Sequence, residues 1–248
     1  KDSIIFIDEG NEFVFTDEFA AVIQNTDNYY VIVTRESISS LPYSVTEVYG
    51  IRNAGKYGTL RKTYNEFFHL YSLADYQNNV KPTKIITEDS NSGYYFFEKI
   101  STQNSITCIS ANGKSNIFST VVNMHKSDLE GTVLIIADGA AFGAEMEKMN
   151  YLIRNYEGIV LCLPESFEWM ILSSGILDDK ELREVLTKPE EYIESKVFFS
   201  WERFFATLLV AKTENTYLKY TKRALNPAYL SEKNMNKILH VISRVQFN

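Results

Sequence analysis

The sequence predicts an α/β protein: a mainly parallel sheet flanked by helices, with a β-rich N-terminal part and a helical C-terminal extension. Three observations point there. From Lys84 to Ser173, short apolar runs alternate with stretches of helical length, the rhythm of right-handed β-α-β crossovers. The opening run Ser3–Ile7 is nearly all apolar, as strands covered on both faces are. The composition, 45% hydrophobic and 23% charged with only 11 Gly and 5 Pro in 248 residues, excludes disordered and low-complexity classes.

The elements follow in order. Ser3–Ile7 is a strand ending in Asp8-Glu9-Gly10, and Phe13–Asn25 is loosely amphipathic, a short helix with Thr16 or Asp17 as N-cap. Tyr29–Val33 is a second buried strand closing on Thr34-Arg35-Glu36, and Ser39-Ser40-Leu41-Pro42 breaks the chain. Thr63–Tyr71 reads as a strand or ribbon arm. The polar stretch Asp75–Pro82, with Asn78-Asn79, is the expected domain boundary, separating 1–80 from 81–176, with 177–248 as a helical extension. Beyond it strands are expected at Lys84–Thr87, Ser105–Ser110, Thr132–Ala137 and Gly158–Leu163. Helices are expected at Ser92–Ile100, Ser115–Met124, Ala144–Asn155 and Ser166–Ser173. Everything after Leu177 reads as helical, ending in an amphipathic helix Ser231–Val245 capped by Ser231.

Charge and cysteine usage narrow the partners. The net charge of −7 argues against a dedicated duplex-DNA binder, which shows a basic face, though a local basic groove stays open. Cys108 and Cys162 lie in strand-like runs and are expected as buried free thiols of a cytoplasmic protein. The best apolar run, Phe204–Ala211, falls far short of the roughly 18 residues of a membrane span. A strand starting so soon after Lys1 is what a piece of a longer chain would show.

In open parallel sheets ligands bind beyond the carboxyl ends of the strands. The residues there are Glu88-Asp89, Gly113-Lys114-Ser115, Asp138 and Glu165. Carboxylates gathered at one rim repel unless a cation joins them, and two or three of them suffice for Mg²⁺ because it keeps several waters. The competing reading is helix capping: Asp89 and Ser90 before Ser92, and Glu165 in the first turn of the next helix. Their joint position favours the metal reading over any acid taken alone.

These residues form an ordered pattern. Thr87-Glu88-Asp89 leads into the aromatic stretch Tyr94-Tyr95-Phe96-Phe97, followed by Gly113-Lys114-Ser115-Asn116, then Asp138-Gly139-Ala140-Ala141-Phe142-Gly143, then Pro164-Glu165-Ser166-Phe167-Glu168. From Lys84 to Gly175 this resembles the Toprim domain of OLD-family (overcoming lysogenization defect) nucleases. The resemblance implies Mg²⁺-dependent phosphoryl transfer on nucleic acid, with Glu88 as general acid/base and metal ligand, Asp138 as chief ligand, Glu165 assisting and Lys114 on phosphate. One departure stands out: Ala140 occupies the place of the family's second aspartate, which removes a charged ligand. An active site and a Toprim scaffold without catalysis, used for nucleotide sensing or a protein partner, are therefore both left open.

The N-terminal part carries a second resemblance. Ile4-Ile5-Phe6-Ile7-Asp8-Glu9 is similar to the Walker B strand of a P-loop ATPase, and Val33-Thr34-Arg35 to the tip of the next ATPase strand. There the aspartate would serve Mg²⁺ and the glutamate the attacking water, so Asp8 and Glu9 are the candidate ATP-site residues, with the P-loop expected upstream. A third reading makes Cys108-x-x-x-x-Gly113-Lys114-Ser115 an imperfect P-loop using Lys114 and Asp138, with Cys108 in place of its first glycine. His69, His125 and His240 share no metal-ligand spacing. Trp169, Trp201, Phe198-Phe199 and Phe204-Phe205 are expected as helix packing, and Lys219–Arg223 as a basic patch, either a nucleic-acid contact or a solvated helix face.

Overall fold

The computed structural model of the protein describes residues 2–45, 47–54, 64–72, 79–125, 131–193 and 196–247. Its N-terminal part is a parallel pair, β1 (Ile4–Ile7) and β2 (Tyr29–Ile32), in register from Ile4↔Tyr29 to Ile7↔Ile32. The connection is a 3-10 turn over Glu12–Phe15 and helix α1 (Asp17–Gln24), whose N-cap Thr16 accepts the Phe19 N–H at 3.2 Å. Two-residue periodicity splits the strands: Ile7, Tyr30 and Ile32 pack on Val14, Phe19 and Ile38, while Ile4, Phe6, Tyr29 and Val31 are exposed.

An antiparallel ribbon follows, β3 (Glu47–Ala54) against β4 (Tyr64–Ser72), with a register shift at Val48/Tyr49. Its second strand lies where Thr63–Tyr71 was read as a strand or ribbon arm; the first had no sequence signature. Half of the boundary expected at Asp75–Pro82, residues 75–78, lies outside the described residues. Within that stretch Val80 bridges in parallel to Val245 near the C-terminal end.

The central sheet has the order β6-β5-β7-β8 and is parallel throughout. Its strands are β5 (Lys84–Thr87), β6 (Thr107–Ser110), β7 (Val133–Ile136) and β8 (Ile159–Cys162). Helices α2 (Ser92–Gln103), α3 (Lys114–His125) and α4 (Met146–Asn155) form the crossovers, and α5 (Phe167–Ser173) follows β8. Alternation on β5 and β7 sends Ile85 and Leu134 to one face and Ile86 and Ile135 to the other. The first face meets Phe96, Phe97 and Ile100 of α2 and Ile171 of α5; the second meets Ile117 and Val121 of α3 and Met149 and Leu152 of α4. Each such side chain removed from water contributes roughly 1.5–3 kcal/mol. Because the strands are parallel and in register, Thr87, Ser110, Ile136 and Cys162 all end on one rim.

The C-terminal part corrects the reading of it as helical throughout. It has α6 (Lys180–Thr187), α7 (Trp201–Thr213) and α8 (Glu232–His240), but the chain between α7 and α8 is turns plus a 3-10 turn at Pro227–Leu230. Thr213 ends α7 by folding the chain onto itself: its hydroxyl donates to Leu209 O at 2.8 Å and accepts the Tyr220 N–H at 3.0 Å. Tyr229 is fully buried and donates to Leu218 O at 2.6 Å, fixing the return. Ser231 sits at the N-cap position of α8, yet its hydroxyl donates to Ala228 O instead of capping. Cys108 and Cys162 are free thiols, and among the described residues no helix is long and apolar enough to cross a membrane.

Candidate acidic site at the sheet rim

Strand register alone brings Glu88 and Asp138 together. Thr87 and Ile136 are partners at the ends of β5 and β7, so Glu88 and Asp138 stand one and two residues beyond them. The Glu88 N–H continues the ladder to Ile136 O at 3.0 Å. The Asp138 N–H turns back and donates to Glu88 Oε2 at 3.0 Å. Asp138 Oδ1 in turn accepts the Phe167 N–H at the start of α5, at 3.2 Å. Two carboxylates fifty residues apart are thus locked to each other's neighbourhood by backbone donors.

Further acids converge from elements distant in sequence. Glu168, buried in the first turn of α5, accepts the Tyr220 hydroxyl at 2.8 Å. Glu202, in the first turn of α7, is paired with the Lys222 ammonium. The segment carrying Tyr220 and Lys222 is fastened to α2: Ser92 Oγ donates to Thr221 O at 3.0 Å and the Ser92 N–H to Lys222 O at 3.2 Å. Glu88, Asp138, Glu168, Tyr220 and Lys222 line one cleft, together with Gly93 and Phe167.

The electrostatics follow from this crowding. Burial pushes the Glu88 carboxyl up to about 7; the Asp138 N–H and Lys114 oppose the rise, and Glu202 and Asp89 add to it. Asp138 is held well above the usual carboxylate range, first by burial and then by Glu88, Glu168, Glu202 and Asp89. For Lys222, burial favours the neutral amine, but the carboxylates of Glu202, Glu168 and Asp138 prevail and raise it. Desolvation and like charge act in the same direction on the two rim acids, the pattern expected of a functional site.

The other residues singled out in the sequence lie apart. Glu165 turns away from the cleft: its Oε2 accepts the Ser44 hydroxyl at 3.3 Å, and burial raises its carboxyl. Lys114 donates to Ala141 O from the start of α3, close enough to lower Glu88. Ala140 is buried and its N–H donates to Glu165 O at 3.1 Å. Asp89 and Ser90 do not cap α2, whose N-cap position is Asn91 with no side-chain cap bond. Asp8 and Glu9 line a second, separate cleft with Thr34 and Arg35. There Arg35 grips Glu9 with two bonds of 2.6 and 2.9 Å, an exposed pair of little consequence for stability. His69 stacks edge-on to Tyr49 with ring centres 5.1 Å apart, and His240 sits in the last turn of α8.

Glu168, Glu202, Tyr220 and Lys222 were not foreseen as site residues. Glu168 belongs to the acidic helix start Pro164–Glu168, one turn past Glu165, and Lys222 to the basic patch Lys219–Arg223. Nothing in the sequence showed that the chain after α7 folds back over the rim. Among the described residues, no group of three or more His, Cys, Asp or Glu is placed to hold a metal ion. No protein-family model, curated protein or solved structure matches the chain, so geometry and chemistry carry the functional argument.

Proposed function

We propose that the rim cleft is a pared-down Toprim-type site for Mg²⁺-dependent phosphoryl transfer on nucleic acid, built on Glu88 and Asp138. The observation that supports this most is the Asp138 N–H to Glu88 Oε2 bond of 3.0 Å, which holds two raised carboxyls in one cleft. The donor set is hard oxygen, which suits Mg²⁺ or Mn²⁺, and Mg²⁺ is commonly bound through one or two carboxylates plus waters and substrate phosphate. Ala140 stands where the family has its second aspartate, so Glu88 and Asp138 would be the carboxylates available to such an ion. When bound, such an ion would polarise a phosphate and lower the pKa of water. The chain's own contribution is proton traffic and charge. Glu88, pushed up to about 7, can give or take a proton near neutral pH. Lys222 lines the cleft as a cation, shared with Glu202, that a phosphate oxygen could meet.

The test is plasmid nicking with Mg²⁺ or Mn²⁺, alongside the change in thermal midpoint each ion causes. Nicking and ion-dependent stabilisation, both lost in Glu88→Gln, are expected. Absence of both at millimolar ion rejects the reading. On the N-terminal side, Asp8, Glu9 and Arg35 in one cleft are compatible with an ATPase-like half-site that needs a P-loop from elsewhere.

One observation favours a second reading. Lys222 is bound to Glu202 and Tyr220 to Glu168, so the acids already own an internal cation and donor. In that case the rim is a closed scaffold, and the acidic surface serves a protein partner. Lys222→Met separates the two: it would weaken nicking of an active site, whereas in the closed scaffold it would open the cleft to cations that the wild type refuses.

A further inference from the structure

Residues 37–45 leave the N-terminal strand pair and cross the loop Gly139–Glu145, which follows Asp138 and consists of two 3-10 turns. The crossing is stitched from both sides. The Gly143 N–H donates to Tyr43 O and the Val45 N–H to Gly139 O, each at 3.1 Å. Ser44 donates to Glu165. The Tyr43 ring lies so tightly over Gly143 that a Cβ there would stand 1.9 Å from it, so any side chain at 143 would displace the ring. Val45 is anchored in the core beneath the sheet with Tyr71 of β4, whose hydroxyl accepts the Leu163 N–H at 3.0 Å. The loop's other bonds, Gly139 N–H to Pro164 O at 2.7 Å and Ala140 N–H to Glu165 O, run to the chain after β8.

We propose that Tyr43–Val45 is a positioning strap that fixes the loop after β7 and thereby holds Asp138 against Glu88. The same segment begins just after Arg35, which is fixed on Glu9, so one short stretch joins the N-terminal cleft to the rim site. Tyr43 touches no reacting group; it acts through the loop. The inference rests on the reading of the rim as the functional site, but its physical core is a claim about local order, and the two can fail separately.

The experiment is residue-resolved amide hydrogen exchange on the full chain, for the wild type, Tyr43→Ala, Gly143→Ala and Tyr43→Phe. The informative amides are Asp138, Gly139 and Ala140, because their acceptors are Glu88, Pro164 and Glu165, not the strap. Tyr43→Ala and Gly143→Ala should speed these three at least tenfold while Leu134 and Ile135 of β7 keep wild-type rates. Tyr43→Phe, which retains the ring, should match the wild type. Acceleration confined to Val45 and Gly143, the direct partners, would show that the strap positions nothing. Equal acceleration throughout β7 would show a general loss of stability, and would overturn the proposal equally. Mn²⁺ affinity on the same variants should fall about tenfold. If the wild type binds no Mn²⁺, the phosphoryl-transfer reading fails while the exchange rates still decide the strap.

Discussion

Replacing Glu88 by Gln should make the protein more stable, by a margin that grows as pH rises from 4.5 to about 7. In the folded chain the Glu88 carboxyl is raised from 4.5 to about 7, chiefly by burial. Between those values the folded protein keeps a proton that the unfolded chain releases. Stability therefore falls as pH rises from 4.5 to 7 and levels off above. At about 1.4 kcal/mol per pH unit, the carboxylate costs the native state about 3 kcal/mol at pH 8. Glutamine is always neutral, and its amide oxygen can still accept the Asp138 N–H. Urea unfolding at pH 5 and pH 8 reads the difference directly. Glu88→Gln and wild type should lie close together at pH 5, and the variant should lead by about 3 kcal/mol at pH 8. A gap that does not change with pH would mean that Glu88 is well hydrated and would remove the electrostatic basis for treating the rim as a site.

Three further outcomes are expected. Tyr220→Phe leaves the buried Glu168 without its 2.8 Å donor and should cost about 1–3 kcal/mol in urea unfolding; no loss would mean that water or another group replaces the hydroxyl. Ser166→Ala removes the N-cap bond to the Trp169 N–H at 3.1 Å and should cost about 1 kcal/mol in the same assay. Gly139→Ala would bring a Cβ to 2.7 Å from Leu163 O, forcing the loop off the chain that follows β8; a loss of about 1–3 kcal/mol is expected, visible as a lowered thermal midpoint.

The central sheet was legible in the sequence because its strands are short apolar runs spaced by helices, and every one of its four strands lies where expected. The meeting of Glu88 and Asp138 was also legible, since residues just past adjacent parallel strands share a rim. Glu165 shows the limit of that rule. It too follows a strand, but its side chain turns to Ser44 from a distant segment, and no local pattern announces which way a side chain leaves a rim. Strand β3 was missed because Glu47–Ala54 carries Gly50 and Asn53 and lacks clean alternation; its partner β4 holds it. The return of Tyr220 and Lys222 was hidden because it depends on Thr213 and Tyr229, ordinary helix and turn residues until the fold places them.

The most direct test of the account is calorimetric titration of Mn²⁺ into the full chain at pH 6.5, repeated in two buffers of different ionisation heat so that released protons are counted. A cation held by Glu88 and Asp138 must displace the proton that burial keeps on Glu88, whose carboxyl is pushed up to about 7. The account predicts binding accompanied by proton release, with both lost in Asp138→Asn. Binding that releases no proton and survives in Asp138→Asn would place the ion elsewhere and contradict it.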